Sequence, residues 1–264
     1  MAVDLLDRTA VGDALRHVAP AIVYHCAGAA HVGRAWDRTA ATLASNVRGT
    51  QFLLEAVAAQ PRRATVLVPS SAMVYRPADH PLVEDDELVP KNPYGVTKLA
   101  TELLAARLSA DGVDVRIVRP FNHVGPRQAA SFVTADFARQ IVEIERGRRH
   151  PEILVGNLEA RRELIDVRDT VRAYEMVVER GVPGRPYNVA SGVARTIREL
   201  LDGLIARARV SVTVRVDPQR FQPNDSPVLV GSPERIQTEL GWRPEIPFEQ
   251  TLDDVLSYWR SEGP

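Results

Sequence analysis

Short apolar runs rich in β-branched residues alternate along this chain with longer segments of helical periodicity. The strand-like runs are 21–25, 65–68 and 113–118. Between them lie helical patterns, among them one with Val11, Leu15 and Val18 on one face and one that runs through 42–58. Strands and helices that alternate in this way predict a parallel sheet covered by helices on both faces.

After Arg119-Pro120 the pattern changes to shorter elements separated by turn-forming residues. A helix is predicted over 132–146, with Phe137, Ile141 and Ile144 on one side. The other predicted elements are strands near 153–155, 187–189 and 212–216 and helices near 169–180, 197–207, 233–240 and 248–259. We therefore expect an α/β protein with a sheet domain over 1–120 and a smaller, mixed C-terminal lobe over 121–264.

Charge and composition exclude several classes of partner. The 264 residues include 33 Lys and Arg and 34 Asp and Glu, so the formal net charge of -1 gives no argument for nucleic acid or an anionic membrane as a partner. No stretch approaches the ~18 apolar residues of a membrane span, and no secretory leader opens the chain. We therefore expect a cytoplasmic protein without a membrane partner.

The sequence also predicts the environment of the single cysteine. Cys26 cannot form an internal disulfide because the chain has no second cysteine. It follows Val23-Tyr24-His25 in a strand-like run, which predicts a buried, unreactive thiol.

Candidate chemistry lies between residues 65 and 98. The run 65–68 stops at Pro69-Ser70-Ser71, which places two hydroxyls at the carboxyl end of a predicted parallel strand. Asn92-Pro93 then begins a helix in which Tyr94 and Lys98 stand four apart and share one face. A phenol titrates near pH ~10, and a neighbouring cation favours its phenolate form. Such a tyrosine can exchange a proton with a substrate oxygen while a serine hydrogen-bonds that oxygen.

Tyrosine and lysine four apart occur by chance in many helices, so the spacing alone is weak. The conjunction with paired serines at a strand end and the run Asn-Pro-Tyr-Gly-Val-Thr-Lys (92–98) is much rarer. It resembles the extended short-chain dehydrogenase/reductase family. That family uses a Ser/Tyr/Lys centre to move a hydride between nicotinamide and a sugar carbon.

Three further motifs resemble the GDP-6-deoxy-D-mannose reductases within that family. They are 119–126, 155–169 and 187–191, and the resemblance extends from about 4 to 260. It implies a Rossmann-type doubly wound parallel sheet with a C-terminal substrate lobe, in which the two parts exchange segments. It also implies NADP or NAD as cofactor and reduction of the 4-keto group of GDP-4-keto-6-deoxy-D-mannose to GDP-D-rhamnose. A homodimer formed through the helices at about 42–58 and 94–110 is implied as well.

The resemblance assigns catalytic roles. Tyr94 is expected to donate the proton to the 4-keto oxygen, and Ser71 to bind the same oxygen. Lys98 is expected to lower the pKa of the phenol and to hold the nicotinamide ribose. Ser70 is interpreted as structural.

Cofactor and substrate residues follow from the same resemblance. Asp4, Leu5, Ala27, Gly28 and Asn46 match positions on the cofactor side, with Asp4-Leu5 at the adenine; Ala27, Gly28 and Asn46 are equally compatible with tight packing alone.

On the substrate side, Asn122 matches a sugar-binding position and Arg162 an arginine that clamps the diphosphate. Asp225 matches an acidic residue near the nucleotide ribose. The Arg-Pro that usually precedes it is Gln222-Pro223 here, for which Arg220 can compensate. Arg127 stands where the family commonly has glycine, and it can either crowd the backbone turn there or add charge at the diphosphate.

One expected motif is missing from the sequence. A dinucleotide-binding sheet normally begins with a strand, a glycine-rich turn and a helix, whereas the first glycine here, Gly12, lies inside a helical pattern. We interpret the sheet as partial, with its first βαβ unit and following strand lying before Met1 in relatives. Strand 21–25 is then expected to be an exposed edge. The choice between NAD and NADP stays open.

Several other functions compete with reduction. The related dehydratases carry acidic residues just after the catalytic hydroxyl, where this chain has Ala72 and Met73, so dehydration is disfavoured. GDP-fucose synthases add a cysteine and a histidine; Cys26 lies in the wrong element for that role, while His123 is near the site. A nucleotide-sugar 4-epimerase, which shares the Ser/Tyr/Lys centre, and a catalytically impaired relative that acts as a binding protein remain as alternatives.

Overall fold

The computed structural model describes residues 2–220 and 228–262, with the backbone alone at Arg34. Its strands are β1 (Ile22–Tyr24), β2 (Thr65–Pro69), β3 (Val115–Pro120), β4 (His123–Val124), β5 (Glu152–Val155), β6 (Arg161–Glu163), β7 (Ile165–Asp166), β8 (Pro186–Val189), β9 (Ala194–Thr196) and β10 (Thr213–Val216). A parallel sheet in the order β1-β2-β3-β8 lies at the centre. The prediction of an α/β fold with a parallel sheet is confirmed.

The helices cover both faces of this sheet. They are α1 (Arg8–Val18), α2 (Thr39–Leu43), α3 (Gly49–Ala58), α4 (Pro93–Ala110), α5 (Val133–Glu145), α6 (Val167–Arg180), α7 (Ile197–Ile205), α8 (Glu234–Leu240) and α9 (Phe248–Ser261). Val66 and Val68 of β2 pack with α1, α3 and α4, whereas Leu67 points to the opposite face and packs with α6. The alternation of neighbouring side chains explains why this strand is apolar on both sides. None of the described helices is both long enough and apolar enough to cross a membrane.

Strand β1 is the edge of the described sheet, as predicted. It pairs with β2 alone, and Ile22 and Tyr24 are 45% and 44% exposed. Val18, expected on the buried face of α1, is exposed instead, because it is the last residue of the helix and the chain turns away at Ala19 in a left-handed conformation.

The helical segment predicted over 42–58 begins at Thr39 and is not a regular α-helix throughout. A π-helical turn, Ala44–Arg48, separates α2 from α3. Asn46 lies in this turn with its side chain buried, and Thr50 follows it on the same side. Both polar side chains point into the protein and have hydrogen-bonding partners there.

The C-terminal segment builds a second core. Strands β5 and β10 pair in parallel, and α5, α7 and α9 pack around them. Phe137, Ile141 and Ile144 of α5 are all buried there, as their spacing predicts. Strand β8 returns to the main sheet beside β3, so the segment after residue 120 contributes to both regions.

Candidate active site

A cleft of about 920 Å³ lies at the carboxyl ends of β2 and β3, between the main sheet and the second core. Parallel α/β sheets place their ligands at this edge. The wall includes Ser71, Tyr94, Asn122 and Arg162, four residues that the sequence assigns to one site. A second pocket, of about 310 Å³, lies at the opposite ends of the strands beside Thr65 and Val113 and contains none of them.

The start of α4 fixes Tyr94 beside the turn that carries Ser71. Asn92 caps the helix by accepting a hydrogen bond from the backbone N–H of Gly95 at 2.8 Å, and Pro93 occupies the first turn. Gly95 lies against the backbone of Met73: a β-carbon at this position would overlap the Met73 carbonyl oxygen. A glycine here therefore lets the helix touch the turn that follows β2.

Tyr94 and Ser71 both line the wall of the cleft. Burial is the larger influence on the phenol and raises the pKa of Tyr94 to about 12, while the Ser71 hydroxyl opposes the shift. Ser71 Oγ accepts from the backbone N–H of Met73 at 3.1 Å, which holds this oxygen at the start of the turn after β2. Tyr94 is therefore protonated at neutral pH. The prediction that Lys98 lowers the pKa of this phenol is wrong, because burial raises the pKa instead.

Lys98 stands one turn further along α4, with its Nζ atom 5.8 Å from the centre of the Tyr94 ring. Its ammonium group donates to the carbonyl oxygen of Pro69 at 2.9 Å. Burial lowers the pKa of Lys98 to about 8. The lysine is therefore mostly charged at pH 7 and close to titrating.

The residues behind Tyr94 fit the nicotinamide end of a dinucleotide. Ala27 and Gly28 are exposed, and Gly28 has a φ of 147°. A β-carbon on Gly28 would lie 2.7 Å from Asn46 Oδ1, so the position requires glycine and leaves its backbone open to a ligand. Together with the Lys98 ammonium, this small-residue loop provides space and hydrogen-bonding groups for a ribose.

Asn46 makes internal packing contacts, one of the two interpretations that the sequence leaves open. Its Oδ1 accepts from Ala29 N–H at 2.7 Å, and its Nδ2 donates to the Ala29 carbonyl at 3.2 Å and to Thr97 Oγ1 at 2.9 Å. The side chain thus fastens the 27–30 loop to α4.

Asp4 and Leu5 lie away from the cleft. Leu5 packs against Gly49 at the start of α3, and Asp4 is exposed and accepts from Leu6 N–H. Within the described residues no glycine-rich strand–turn–helix accompanies them. The residues present therefore match the nicotinamide end of the cofactor more fully than its diphosphate.

The opposite wall carries the predicted sugar-side residues. Strand β4 pairs with β7, and the Asn122 carbonyl accepts from Ile165 N–H at 3.0 Å, which fixes the Asn122 backbone. Arg162 lies in β6, which pairs with β9, and it reaches the cleft wall with its side chain partly buried. Burial lowers the pKa of Arg162 from its ordinary value, but the guanidinium stays charged at any physiological pH. Asp225 lies outside the described residues.

Two further arginines line the same wall. Arg127 is exposed and has a φ of 70°, a left-handed conformation that is uncommon for a side chain with a β-carbon. Arg220 pairs with Asp136 at 2.7 Å. With Arg162, these guanidinium groups make this end of the cleft suitable for phosphate oxygens.

Cys26 is exposed, so the prediction of a buried thiol is wrong. Strand β1 ends at Tyr24, and Cys26 lies beyond its last paired residue, where the chain leaves the sheet. Partial burial raises the pKa of the thiol, and Lys98 opposes that shift. The buried residue in this run is its neighbour His25, whose Nε2 lies 2.8 Å from Thr50 Oγ1.

Sequence reasoning missed the charged interior beside the site. Arg119 and Glu102 form a buried ion pair with 2.5 Å between Nη2 and Oε1. A signal was available: Glu102 follows Lys98 by four residues, as Lys98 follows Tyr94, so the three share one face of α4.

Comparison with known proteins identifies the relatives of this chain. A family model described as GDP-mannose 4,6 dehydratase matches residues 1–255. GDP-6-deoxy-D-mannose reductase from Pseudomonas aeruginosa is 38% identical over 262 residues, which cover 98% of this chain and 86% of the relative. dTDP-glucose 4,6-dehydratase from Streptomyces griseus is 32% identical over 239 residues, covering 90% and 71%.

A solved structure is similar over nearly the whole fold. The structure of RMD from Pseudomonas aeruginosa complexed with NADPH has a TM-score of 0.93 and 37% identity, and the match covers 99% of this chain and 88% of that one. The similarity extends over both the main sheet and the second core.

Proposed function

The chain belongs to the GDP-mannose 4,6-dehydratase family, whose members here include enzymes that act on nucleotide sugars, and we propose that its own reaction is a carbonyl reduction. The substrate is GDP-4-keto-6-deoxy-D-mannose, the reductant NADPH or NADH, and the product GDP-D-rhamnose. The similarity to a GDP-6-deoxy-D-mannose reductase over 98% of the chain supports this assignment.

One observation carries the choice of reduction over dehydration. Ala72 and Met73 follow Ser71 and line the cleft beside Tyr94. Elimination of water needs an acid and a base at the sugar, and neither of these side chains can give or take a proton. At these two positions the cleft therefore carries no acid or base for elimination, while Ser71 and Tyr94 can serve a ketone oxygen.

The proton is delivered by Tyr94. Its phenol is protonated at neutral pH because burial raises its pKa to about 12. Ser71 lines the cleft beside the phenol and can hydrogen-bond the ketone oxygen, while the ammonium of Lys98, 5.8 Å from the centre of the Tyr94 ring, can stabilise the phenolate that remains after transfer. The bound cofactor supplies the hydride.

The substrate is held at the other wall of the cleft. Arg162 and Arg127 present guanidinium groups to the diphosphate, and Asn122 lines the same cleft on the sugar side. A cleft of about 920 Å³ has room for a nucleotide diphosphate whose sugar reaches the phenol. For Asp225 we propose a position near the nucleotide ribose, as its sequence match implies.

An assay of keto-sugar reduction tests the proposed reaction directly. Purified protein is incubated with GDP-4-keto-6-deoxy-D-mannose and NADPH, and the products are separated by anion-exchange chromatography. We expect GDP-D-rhamnose and one NADPH oxidised for each sugar reduced. Oxidation of no cofactor, with the keto sugar recovered unchanged, would contradict the proposal.

Cofactor binding separates the enzyme from a non-catalytic binding protein. A fluorescence titration with NADPH is expected to saturate in the micromolar range, with Lys98→Met as the control that weakens it. The family's 4-epimerases differ in retaining NAD tightly through the reaction, so a protein purified with stoichiometric bound NAD and no net cofactor consumption would instead favour epimerisation.

We also propose a homodimer. Leu43 of α2 and Val96 and Leu103 of α4 are apolar and 40%, 48% and 62% exposed, on the helices through which relatives are expected to pair. Sedimentation at micromolar concentration is expected to give twice the chain mass. A Leu103→Glu variant should then sediment as a monomer.

We also propose a separate binding role for each of the two parts of the chain. Residues 1–120 form a partial dinucleotide-binding domain and 121–264 mainly a nucleotide-sugar lobe, with β8 returning to the first sheet. A cytoplasmic location follows from the proposed reaction, since its reduced dinucleotide and nucleotide sugar are made there. Fractionation of cells that express the full chain tests this point.

A further inference from the structure

Arg119 lies at the end of β3 and is only 3% exposed. Its Nη2 and Nε atoms donate to the carboxylate of Glu102 at 2.5 Å and 3.1 Å. Its Nη1 donates to Tyr75 Oη at 2.7 Å and to the carbonyl oxygen of Glu84 at 2.8 Å. The guanidinium is therefore bonded to three separate segments of the chain.

A buried ion pair is a poor source of stability. Desolvating two charges costs several kcal/mol per ion, and apolar side chains of similar volume often serve as well. Val115 and Ile117 precede Arg119 on the same face of β3, and both are apolar and buried. A charged residue at the end of an otherwise apolar strand face indicates that Arg119 has a role other than packing.

The partners of Arg119 lie close in sequence to the site. Tyr75 follows Ser71 by four residues, and Glu102 follows Lys98 by four. Arg119 itself precedes Asn122 by three. One side chain thus joins the three segments that carry the hydroxyl, the phenol with its lysine and the sugar-side residue.

Tyr75 extends these contacts to a fourth segment. Its hydroxyl donates to Asn188 Oδ1 of β8 at 2.7 Å, and its ring stacks on Phe121 with 6.3 Å between centroids. The Arg119 guanidinium lies over the same ring, 4.9 Å from its centre. The Tyr75 hydroxyl donates one hydrogen bond and accepts another. A different arrangement of these side chains would leave a buried polar group without a partner, which costs energy.

We propose that Arg119, Glu102 and Tyr75 form a positioning cluster that sets the relative placement of Ser71, Tyr94 and Asn122. This inference rests on the proposed function, because it concerns the geometry of that reaction. None of the three lines the cleft, so they act through the residues that do. The turn after β2 and α4 already touch where Gly95 meets Met73, and Arg119 adds a second link between these two segments through Tyr75 and Glu102.

The test is Tyr75→Phe, which removes one hydroxyl and keeps the ring. Tyr187→Phe is the matched control: Tyr187 is also fully buried in the sheet, and its hydroxyl donates to Glu239 at 2.9 Å, away from the cleft. We expect Tyr75→Phe to lower kcat about tenfold with KM within about twofold, since small misplacements act on the transition state. Tyr187→Phe should leave kcat within about twofold.

Hydrogen exchange provides a readout that needs no turnover. In Tyr75→Phe we expect faster amide exchange at 92–98 and 119–124, segments that do not contain the substitution, and no such change in Tyr187→Phe. Arg119→Lys keeps the charge but loses the planar fork and should reproduce the pattern, so it replaces Tyr75→Phe if that variant does not fold.

The outcomes are distinct. Unchanged kcat in Tyr75→Phe, an equal loss in both tyrosine variants, or faster exchange confined to the peptide holding residue 75 would overturn the positioning cluster. If the wild-type chain reduces no keto sugar, the proposed function fails, while the exchange pattern still decides whether the cluster links the three segments.

Discussion

The two ends of the cleft are built differently. At the catalytic end, defined by Ser71, Tyr94 and Lys98, the side chains stand on a strand end and a helix and are partly or fully buried. At the guanidinium end, defined by Arg127, Arg162 and Arg220, they stand on a loop, a short strand and a single 3₁₀ turn, and they are half-buried or exposed. Burial shifts the pKa values of Tyr94 and Lys98 strongly at the first end.

This difference separates chemistry from binding. Proton transfer requires a group whose pKa and position are both controlled, which regular elements and burial provide. Recognition of a diphosphate requires charge that a ligand can reach, and guanidinium groups in the cleft wall provide it, with Arg127 exposed and Arg162 half-buried. Variants at the catalytic end should therefore change kcat, and variants at the guanidinium end should change KM.

The largest effect is expected from Tyr94→Phe. Loss of the proton donor should lower kcat about 10³-fold, with NADPH binding unchanged. Tyr24→Phe, which removes a hydroxyl from the exposed edge strand, is the control and should retain full activity. A Tyr94→Phe enzyme within tenfold of wild type would remove the distinction between the two ends.

A stability measurement tests how far burial controls the catalytic end. Burial and the charge of Lys98 lower the pKa of His25 to about 4, below its ordinary 6.5. The folded state then binds fewer protons than the unfolded state between these values, so stability falls as the pH drops from 6.5 to 4. The expected loss is about 3 kcal/mol at ~1.4 kcal/mol per pKa unit.

Denaturant unfolding at pH 7 and pH 4 measures this loss. His25→Gln should remove most of it, whereas His17→Gln, at an exposed position of α1, should leave it in place. An identical pH dependence in both variants would mean that the interior around His25 is more hydrated than its burial indicates.

At the guanidinium end, Arg162→Gln should raise KM for the nucleotide sugar about 20-fold with kcat nearly unchanged, because a charge-assisted contact to phosphate is lost. Arg161→Gln is the matched control, since Arg161 is the exposed neighbour in the same strand. Steady-state kinetics on both variants decide the matter. A loss in kcat rather than KM would place Arg162 on the catalytic side of the comparison.

The smallest effect concerns the pH dependence of cofactor binding. Burial lowers the pKa of Lys98 to about 8, so the ammonium loses its proton as the pH rises through that value. The Kd for NADPH should rise about fivefold to tenfold between pH 7 and pH 9 if the charged form binds the ribose. In Lys98→Met the affinity should be lower and independent of pH in this range.

The elements of the catalytic end were predictable because each depends on local sequence. The β-branched run of β2, the Asn92-Pro93 helix start and the spacing of Tyr94 and Lys98 are short-range patterns, and the structure contains all of them. Cys26 was misjudged because its apolar neighbours do not reveal where β1 stops pairing.

Long-range contacts were not predictable in the same way. The bonds of Arg119 to Tyr75 and Glu102 join residues 44 and 17 positions apart, and no periodicity encodes them. The partners of Asn46 were likewise not predictable, since Ala29 and Thr97 lie 17 and 51 positions away along the chain. Such tertiary contacts depend on how whole elements pack.

The π-turn at Ala44–Arg48 has a mechanical consequence. It inserts one surplus residue into an otherwise regular helical path, which rotates everything before it by roughly a quarter to a third of a turn relative to everything after it. Deletion of one alanine from this segment is expected to restore a regular α-helix and to move the Asn46 amide away from the 27–30 loop and α4. Through Asn46, the π-turn thus holds the 27–30 loop, beside which the nicotinamide is expected to bind, in a fixed position relative to α4.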